Sequence, residues 1–399
     1  MNGTAFAIAP RDAHARSPRR QPASEPWGAE VQRILCVRLD QLGDVLMTTP
    51  AMHALRESAP GRHITLLTSA AGAAMAPYLP DVDDVIEYDA PWANGAHGSA
   101  KGPADGAGNE DAVLARVRAG RFDAAAIFTV YSQNPLPAAT LCFFAGIERR
   151  LAHCRENPYA LLTNWLPERE PQTDVRHEVE RQLALVRSVG ADLADPADSR
   201  LRMSVDPAAR ITLAQKLRMY GVDPAEPCIV VHAGASAPSR RYPPALFAEA
   251  LDLLAPTVRC PFLLTGSLGE SALTRDVMRF SRSPGSTRLV DLAGALTLAE
   301  LIALLDQASL LIANNSGPAH LAAALGKPVV DLYALTNPQH SPWMTPHRLL
   351  YRDVACRWCY RGECPEGHHA CLRGVPPGDV ARAARELLEE AGALVPQPA

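Results

Sequence analysis

RILCVRLDQLGDVLMTTPAMHALRESAPGRHITLLT, residues 33–68, holds the pattern that decides the fold. Its first part, Arg33–Leu39, is a short apolar run of the kind a sheet buries on both faces. A polar loop, Asp40–Asp44, follows. Helical periodicity then runs through Val45, Met47, Ala51 and Leu55 to the Pro60-Gly61 breaker. Pro50 fits either a helix that starts near Gly43 and tolerates it, or a first helical turn after a Thr49 cap. His63–Thr68 is a second buried strand. Strand, helix and strand at this spacing predict a parallel α/β sheet.

The alternation continues on both sides of a central break. Further strands are expected at 85–88 and 124–129, and a helix over 178–190 closes the first half. After Asp195-Pro196 come a helix at 207–220 and strands at 228–231, 262–265, 288–291, 310–313 and 329–333, with helices at 244–254, 298–308 and 318–325 between them. A last helix, 379–387, has no strand after it and could pack on either half. This order predicts two doubly wound domains, 29–200 and 201–399, facing a cleft that the strand ends line. Residues 1–28, rich in Arg, Pro and Ala, read as a disordered tail, and 93–110, all small or polar, as a mobile insertion.

Bulk properties exclude several function classes. A net charge of −4 gives no basic face for nucleic acid. No apolar run approaches the roughly 20 residues of a membrane span. The N-terminal apolar stretch 5–10 precedes its arginines, the reverse of a secretory signal. Nine cysteines, several beside apolar runs, suit reduced thiols in a cytoplasm better than a disulfide framework.

Three loops follow strands and could carry chemistry. In the first, Gly43 permits a tight turn and Asp44 sits at a helix start, where it either faces the cleft or merely caps the helix. In the second, HAGASAPSRRYP (232–243), Gly234 and Ser236 offer hydrogen-bond donors. Arg240 and Arg241 could pair a diphosphate or be simply solvated. In the third, NNSGPAH (314–320), Asn315, Ser316 and Gly317 open a helix whose free N–H groups suit an anion. Ordinary capping by Ser316 with Pro318 is the alternative, and His320 could be structural.

Taken together, these loops resemble glycosyltransferase family 9, the ADP-heptose:lipopolysaccharide heptosyltransferases, over roughly residues 33–390. Besides the opening stretch, the resemblance runs through HAGASAPSRRYPPALFAEAL, DLAGALTLAELIALL, NNSGPAHLAAALGKPVVDLYALTNP and CRWCYRGECPEGHHACLRGV. It implies the two-domain GT-B architecture and an inverting heptosyl transfer from ADP-heptose to an acceptor hydroxyl, in lipopolysaccharide core or a related glycan. Asp44 matches the family's catalytic aspartate, with Gly43 on the acceptor side. Arg240 lies where the family usually carries a diphosphate-neutralising lysine. Ser316, Gly317 and His320 match the helix start that holds the diphosphate, and Asp291, Ala293 and Gly294 the loop near the nucleoside. Two departures stand out: Asn315 replaces the usual aspartate, and Ala334-Leu335 the usual Gly-Pro. The expected partners are a nucleotide-sugar donor and a glycan or glycolipid acceptor, with peripheral contact at the inner membrane left open. An epimerase or hydrolase, or a non-catalytic nucleotide-sugar-binding regulator, remain alternatives on this scaffold.

No cofactor is required by this chemistry. The spacing of Cys356, Cys359, Cys364 and Cys371, with His368 and His369 between, is compatible with structural zinc, although reduced thiols pinning a C-terminal loop are the favoured reading.

Overall fold

A computed structural model of the protein describes residues 25–93, 103–172, 175–195, 197–282 and 288–392. Its first half contains β1 (Arg33–Arg38), α1 (Leu42–Glu57), β2 (His63–Thr68), α2 (Ala70–Ala73), β3 (Asp84–Glu87), α3 (Pro103–Ala119), β4 (Ala124–Ile127), α4 (Leu136–Phe144), β5 (Arg149–Cys154), β6 (Asn164–Pro167) and α5 (Glu178–Arg187). The second contains α6 (Pro207–Met219), β7 (Ile229–His232), α7 (Pro244–Leu254), β8 (Phe262–Thr265), α8 (Ser271–Phe280), β9 (Leu289–Asp291), α9 (Leu298–Gln307), β10 (Leu310–Asn314), α10 (Gly317–Ala324), β11 (Val329–Leu332), β12 (His347–Leu350), α11 (Ala370–Arg373) and α12 (Pro377–Glu390).

The strands form two six-stranded sheets, ordered β3-β2-β1-β4-β5-β6 and β12-β11-β10-β7-β8-β9, with every pairing parallel. Counted from its own first strand, each sheet has the same 3-2-1-4-5-6 order, the doubly wound arrangement. The order reverses between β1 and β4 in one sheet and between β7 and β10 in the other. At those points neighbouring connections leave in opposite directions and open a crevice at the strand ends. The loops after β1, β7 and β10 therefore begin at the two crevices.

Helix α1 runs through Pro50, which lacks the N–H that Leu46 C=O would otherwise accept. The Thr49 hydroxyl donates to that carbonyl at 2.6 Å instead, and the same oxygen accepts from Arg202 N–H at 2.9 Å. One side chain thus repairs the helix and ties it to the segment leading into the second half. A buried apolar cluster is continuous across both halves, from Ile34 and Leu55 through Leu185 and Leu201 to Leu263, Ile302 and Leu321.

Several expectations change in detail. Trp27, assigned to the tail, is buried, and its N–H donates to Val189 C=O at 2.8 Å; residues 1–24 lie outside the described residues. Helix α3 starts at Pro103, so 103–110 of the expected insertion is helical, while 94–102 are not described. Strands β5, β6 and β12 were not anticipated. The terminal helix α12 packs on α7 and the second sheet. Among the described residues, no helix is long and apolar enough to cross a membrane.

Candidate active site

Arg38 closes β1 and is fully buried. Its guanidinium meets three carboxylates: Asp40 Oδ2 at 2.9 Å, Asp44 Oδ1 at 3.2 Å and Glu178 Oε1 at 2.8 Å. Burial alone would lower its pKa, but the three anions outweigh burial and hold it above the ordinary value. Burial works to raise Asp44 likewise. Arg38, His340, His320 and the Gln41 N–H overcome it, so Asp44 stays below the usual carboxylate range. Asp40 goes the other way, pushed up to about 6 by burial despite Arg38. The cluster thus treats two neighbouring carboxyls differently: Asp44, about a fifth exposed, is held in its ionised form more firmly than Asp40.

Asp44 is the third residue of α1, and its Oδ2 accepts from Gln41 N–H at 3.2 Å in a capping box. The carboxylate thus caps the helix and stays about a fifth exposed. Its neighbour Gly43 lies against His320 of α10: a Cβ there would stand 2.6 Å from His320 Cδ2. Gly317, at the start of α10, would meet Leu42 Cδ1 at 2.9 Å. Two helix starts, one from each half, meet at a point where a Cβ on either glycine would have to displace a neighbouring side chain. Burial drives the His320 pKa down to about 3, so its imidazole is neutral.

The second loop is organised by Asn314, whose amide donates to Ala233 C=O at 2.8 Å and accepts from Tyr242 N–H at 2.9 Å. At Gly234 a Cβ would overlap the Glu270 carboxylate, which the Ser267 capping box holds in place. Arg241 is spent on Ala235 C=O at 2.8 Å. The Arg240 side chain, half-exposed, makes no hydrogen bond or ion pair within the described residues, and its charge helps to depress both His320 and His340. Ser236 is exposed beside it.

At the third loop, the Ser316 hydroxyl donates to Asn314 C=O at 3.0 Å rather than capping α10. Asn315 turns inward, its amide donating to Asp331 Oδ2 at 3.2 Å and His340 C=O at 2.7 Å. Its exchange for the usual aspartate thus bears on a buried carboxyl, Asp331, pushed up to about 7 by burial. Asp291 accepts from Ala293 N–H at 3.0 Å, and Gly294 holds φ +74° beside Leu268, which fixes the turn after β9.

The segment 334–343, which includes Ala334-Leu335, reaches across to the first half. Gln339 C=O accepts from Glu178 N–H at 3.1 Å, and Ser341 C=O pairs with His177 Nε2 at 2.9 Å. His177 stacks on Trp343 at 4.3 Å, and Trp343 Nε1 donates to Ser199 C=O at 2.7 Å. Sequence reasoning missed Arg38, Glu178 and His340; a buried-strand arginine beside a DxxxD pair was the available signal.

Cys356, Cys359, Cys364 and Cys371 line one small cavity of about 20 Å³ with His368, His369 and Ser239. Ser239 N–H donates to Gly362 C=O and its hydroxyl to Arg361 C=O, which fastens this segment to the Arg240 loop. Among the described residues no group of three or more His, Cys, Asp or Glu is arranged to hold a metal ion.

The pattern describing Glycosyltransferase family 9 (heptosyltransferase) matches residues 112–370. Lipopolysaccharide heptosyltransferase 2 of Salmonella typhimurium is 24% identical over 370 residues, covering 90% of this chain and 99% of that protein. The glycosyl transferase family 9 structure from Veillonella parvula superposes with a TM-score of 0.75 at 21% identity, over 92% of this chain and all of that one. The ADP-heptose lps heptosyltransferase II structure of E. coli gives 0.69 at 21%, over 91% of this chain and 100% of that one. With two doubly wound sheets whose helix starts converge on an ionised aspartate, and a family pattern spanning most of the chain, this protein belongs to glycosyltransferase family 9 and is a glycosyltransferase.

Proposed function

We propose that the protein transfers a heptosyl group from ADP-heptose to an acceptor hydroxyl of the lipopolysaccharide core type, with inversion at the anomeric carbon. The observation that carries this reading is the ionised, part-exposed Asp44 at the meeting of α1 and α10. The relatives act in lipopolysaccharide or lipooligosaccharide assembly, and one structural neighbour is named for ADP-heptose. In this reading Asp44 takes the acceptor proton through Oδ2, which carries only the neutral Gln41 N–H while Oδ1 is paired with the Arg38 cation. The acceptor oxygen attacks the anomeric carbon from the face opposite the diphosphate. The bond to the diphosphate breaks, and Arg240 with the uncapped start of α10 stabilises the anion that leaves. A carboxylate below its usual range is a weak base, so the proton moves late, as the glycosidic bond forms. Arginine and helix dipole carry the leaving-group charge, so the scheme needs no metal.

The test is incubation with ADP-, GDP- and UDP-sugars, with and without a truncated lipopolysaccharide acceptor. Acceptor-dependent transfer from ADP-heptose with an inverted product anomer is expected. Acceptor-free conversion would indicate an epimerase or hydrolase, binding without product a regulator, and preference for UDP- or GDP-sugars would overturn the donor.

A further inference from the structure

We infer that His340 is a positioning residue for Asp44, supplied by the second half to orient the carboxylate from across the cleft. The inference rests on the transfer reading above. His340 is buried, and its Nε2 has no hydrogen-bond partner within the described residues. Asp44 Oδ1 lies 4.0 Å from that nitrogen. The ring is set from behind. The Tyr333 hydroxyl, which accepts from His340 N–H at 3.3 Å, donates to Asn337 C=O at 2.9 Å and lies 3.4 Å from Asn337 Oδ1. That leaves the Asn337 amide nitrogen, 3.3 Å from His340 Nδ1, as a donor to it. An imidazole that accepts at Nδ1 carries its proton on Nε2, the atom facing Asp44. Asn315 fixes the backbone of the same residue through its carbonyl.

A small adjustment of the ring or the carboxylate would bring Nε2–H onto Oδ1, 4.0 Å away. Oδ1 would then be held by Arg38 and His340 together, and Oδ2, bearing only the Gln41 N–H, would take the acceptor hydroxyl. The loop bearing His340 is held on α5 through Glu178 and His177, so the same contacts that join the halves place the ring beside the base.

The charged and titratable groups around His340 are Asp44 of α1, Arg38 of β1, Glu178 of α5 with His177 just before it, Arg240 of the second loop, His320 of α10, Asp331 of β11 and Tyr333 just after it. Burial, with Arg240 and Arg38 against Asp44 and Glu178, keeps the imidazole below its ordinary 6.5. Below its pKa the imidazolium would bind Asp44 as an ion pair and weaken it as a base. Turnover therefore falls with acid on an imidazole limb, which shifts with temperature as imidazole ionisation does and carboxylate ionisation does not.

The test compares wild type, H340A, H340Q and N337D in heptosyl transfer across pH. H340A should lose roughly 10- to 100-fold in kcat with an unchanged KM for ADP-heptose. H340Q, which keeps a neutral N–H donor, should recover most of that turnover and lack the imidazole limb. N337D should move the limb to higher pH, because a carboxylate at Nδ1 favours the charged ring. Normal turnover in H340A, or equal losses in H340A and H340Q with the pH profile unmoved, overturns the inference. If the His340 variants do not fold, the wild-type profile decides: an acid limb insensitive to temperature refutes the role. A wild type without heptosyl transfer refutes the function itself, a separate outcome.

Discussion

Replacing Arg38 with methionine keeps the length of the side chain and removes the guanidinium that Asp40, Asp44 and Glu178 share. Arg38 and Glu178 are both fully buried, so water cannot take over. Breaking a buried pair from one side costs about 3–5 kcal/mol. At about 2–4 °C per kcal/mol for a unit of 150–250 residues, the melting temperature should fall by roughly 6–20 °C at pH 7. The dependence on pH follows from linkage. Without Arg38 the folded-state pKa values of the carboxyls rise above their unfolded values, so the folded protein binds protons more tightly than the unfolded chain. The variant's stability then falls as pH rises through that interval, and its deficit is largest at pH 7–8 and smaller near pH 5. Melts followed by circular dichroism at pH 5, 6, 7 and 8 read this directly. A variant that melts within a degree or two of wild type at pH 7, or whose deficit does not shrink with acid, would refute the reasoning.

Asp44→Asn should lower turnover by roughly 10²–10⁴-fold with donor affinity retained, since asparagine can still accept the Gln41 N–H; near-normal turnover would leave Asp44 as a cap only. Arg240→Ala should weaken ADP-heptose binding by about 1.5–3 kcal/mol, roughly 10- to 150-fold in Kd by calorimetry, without moving the melting temperature. Gly43→Ala puts a Cβ 2.6 Å from His320 Cδ2, so the helix starts must part; thermal melts should show a loss of about 1–3 kcal/mol, and turnover should drop with it. Asp331 is held at about 7, three units above its ordinary value, so this group alone withdraws on the order of 4 kcal/mol as pH rises from about 4 to 7. D331N should flatten that slope in denaturant titrations, and an unchanged slope would place the titrating group elsewhere.

The strands nearest each crevice were legible because β1, β2, β7, β8 and β10 are short apolar runs followed by polar loops. Strand β5 was not, because RRLAHC carries two arginines and a histidine. The sheet accommodates Arg150 by folding its guanidinium onto the carbonyls of Ala160, Leu161 and Glu148, a solution visible only in three dimensions. Strands β6 and β12 lie at sheet edges, are only half-buried and show no period. In the site, glycines and the aspartate were legible through their local turn and helix-start chemistry. Arg38 and Glu178 are 140 positions apart, and His340 reads as part of a Pro-flanked loop. Nothing local marks such residues, because their partners come from another layer or the other half.

The apolar cluster that runs unbroken through both halves also limits how the enzyme can be re-engineered. Chimeras that join the donor half of one glycosyltransferase to the acceptor half of another assume a seam that can be cut and rejoined. Here the seam is a packed interior in which Gly43 admits His320, Gly317 admits Leu42, and Thr49 holds the backbone of Arg202. A graft that changes one side of any of these contacts inherits a clash or an empty donor at the join. The transplantable unit is therefore the second half together with the first turns of α1, and a junction placed in the 195–206 connection alone should yield poorly folded hybrids.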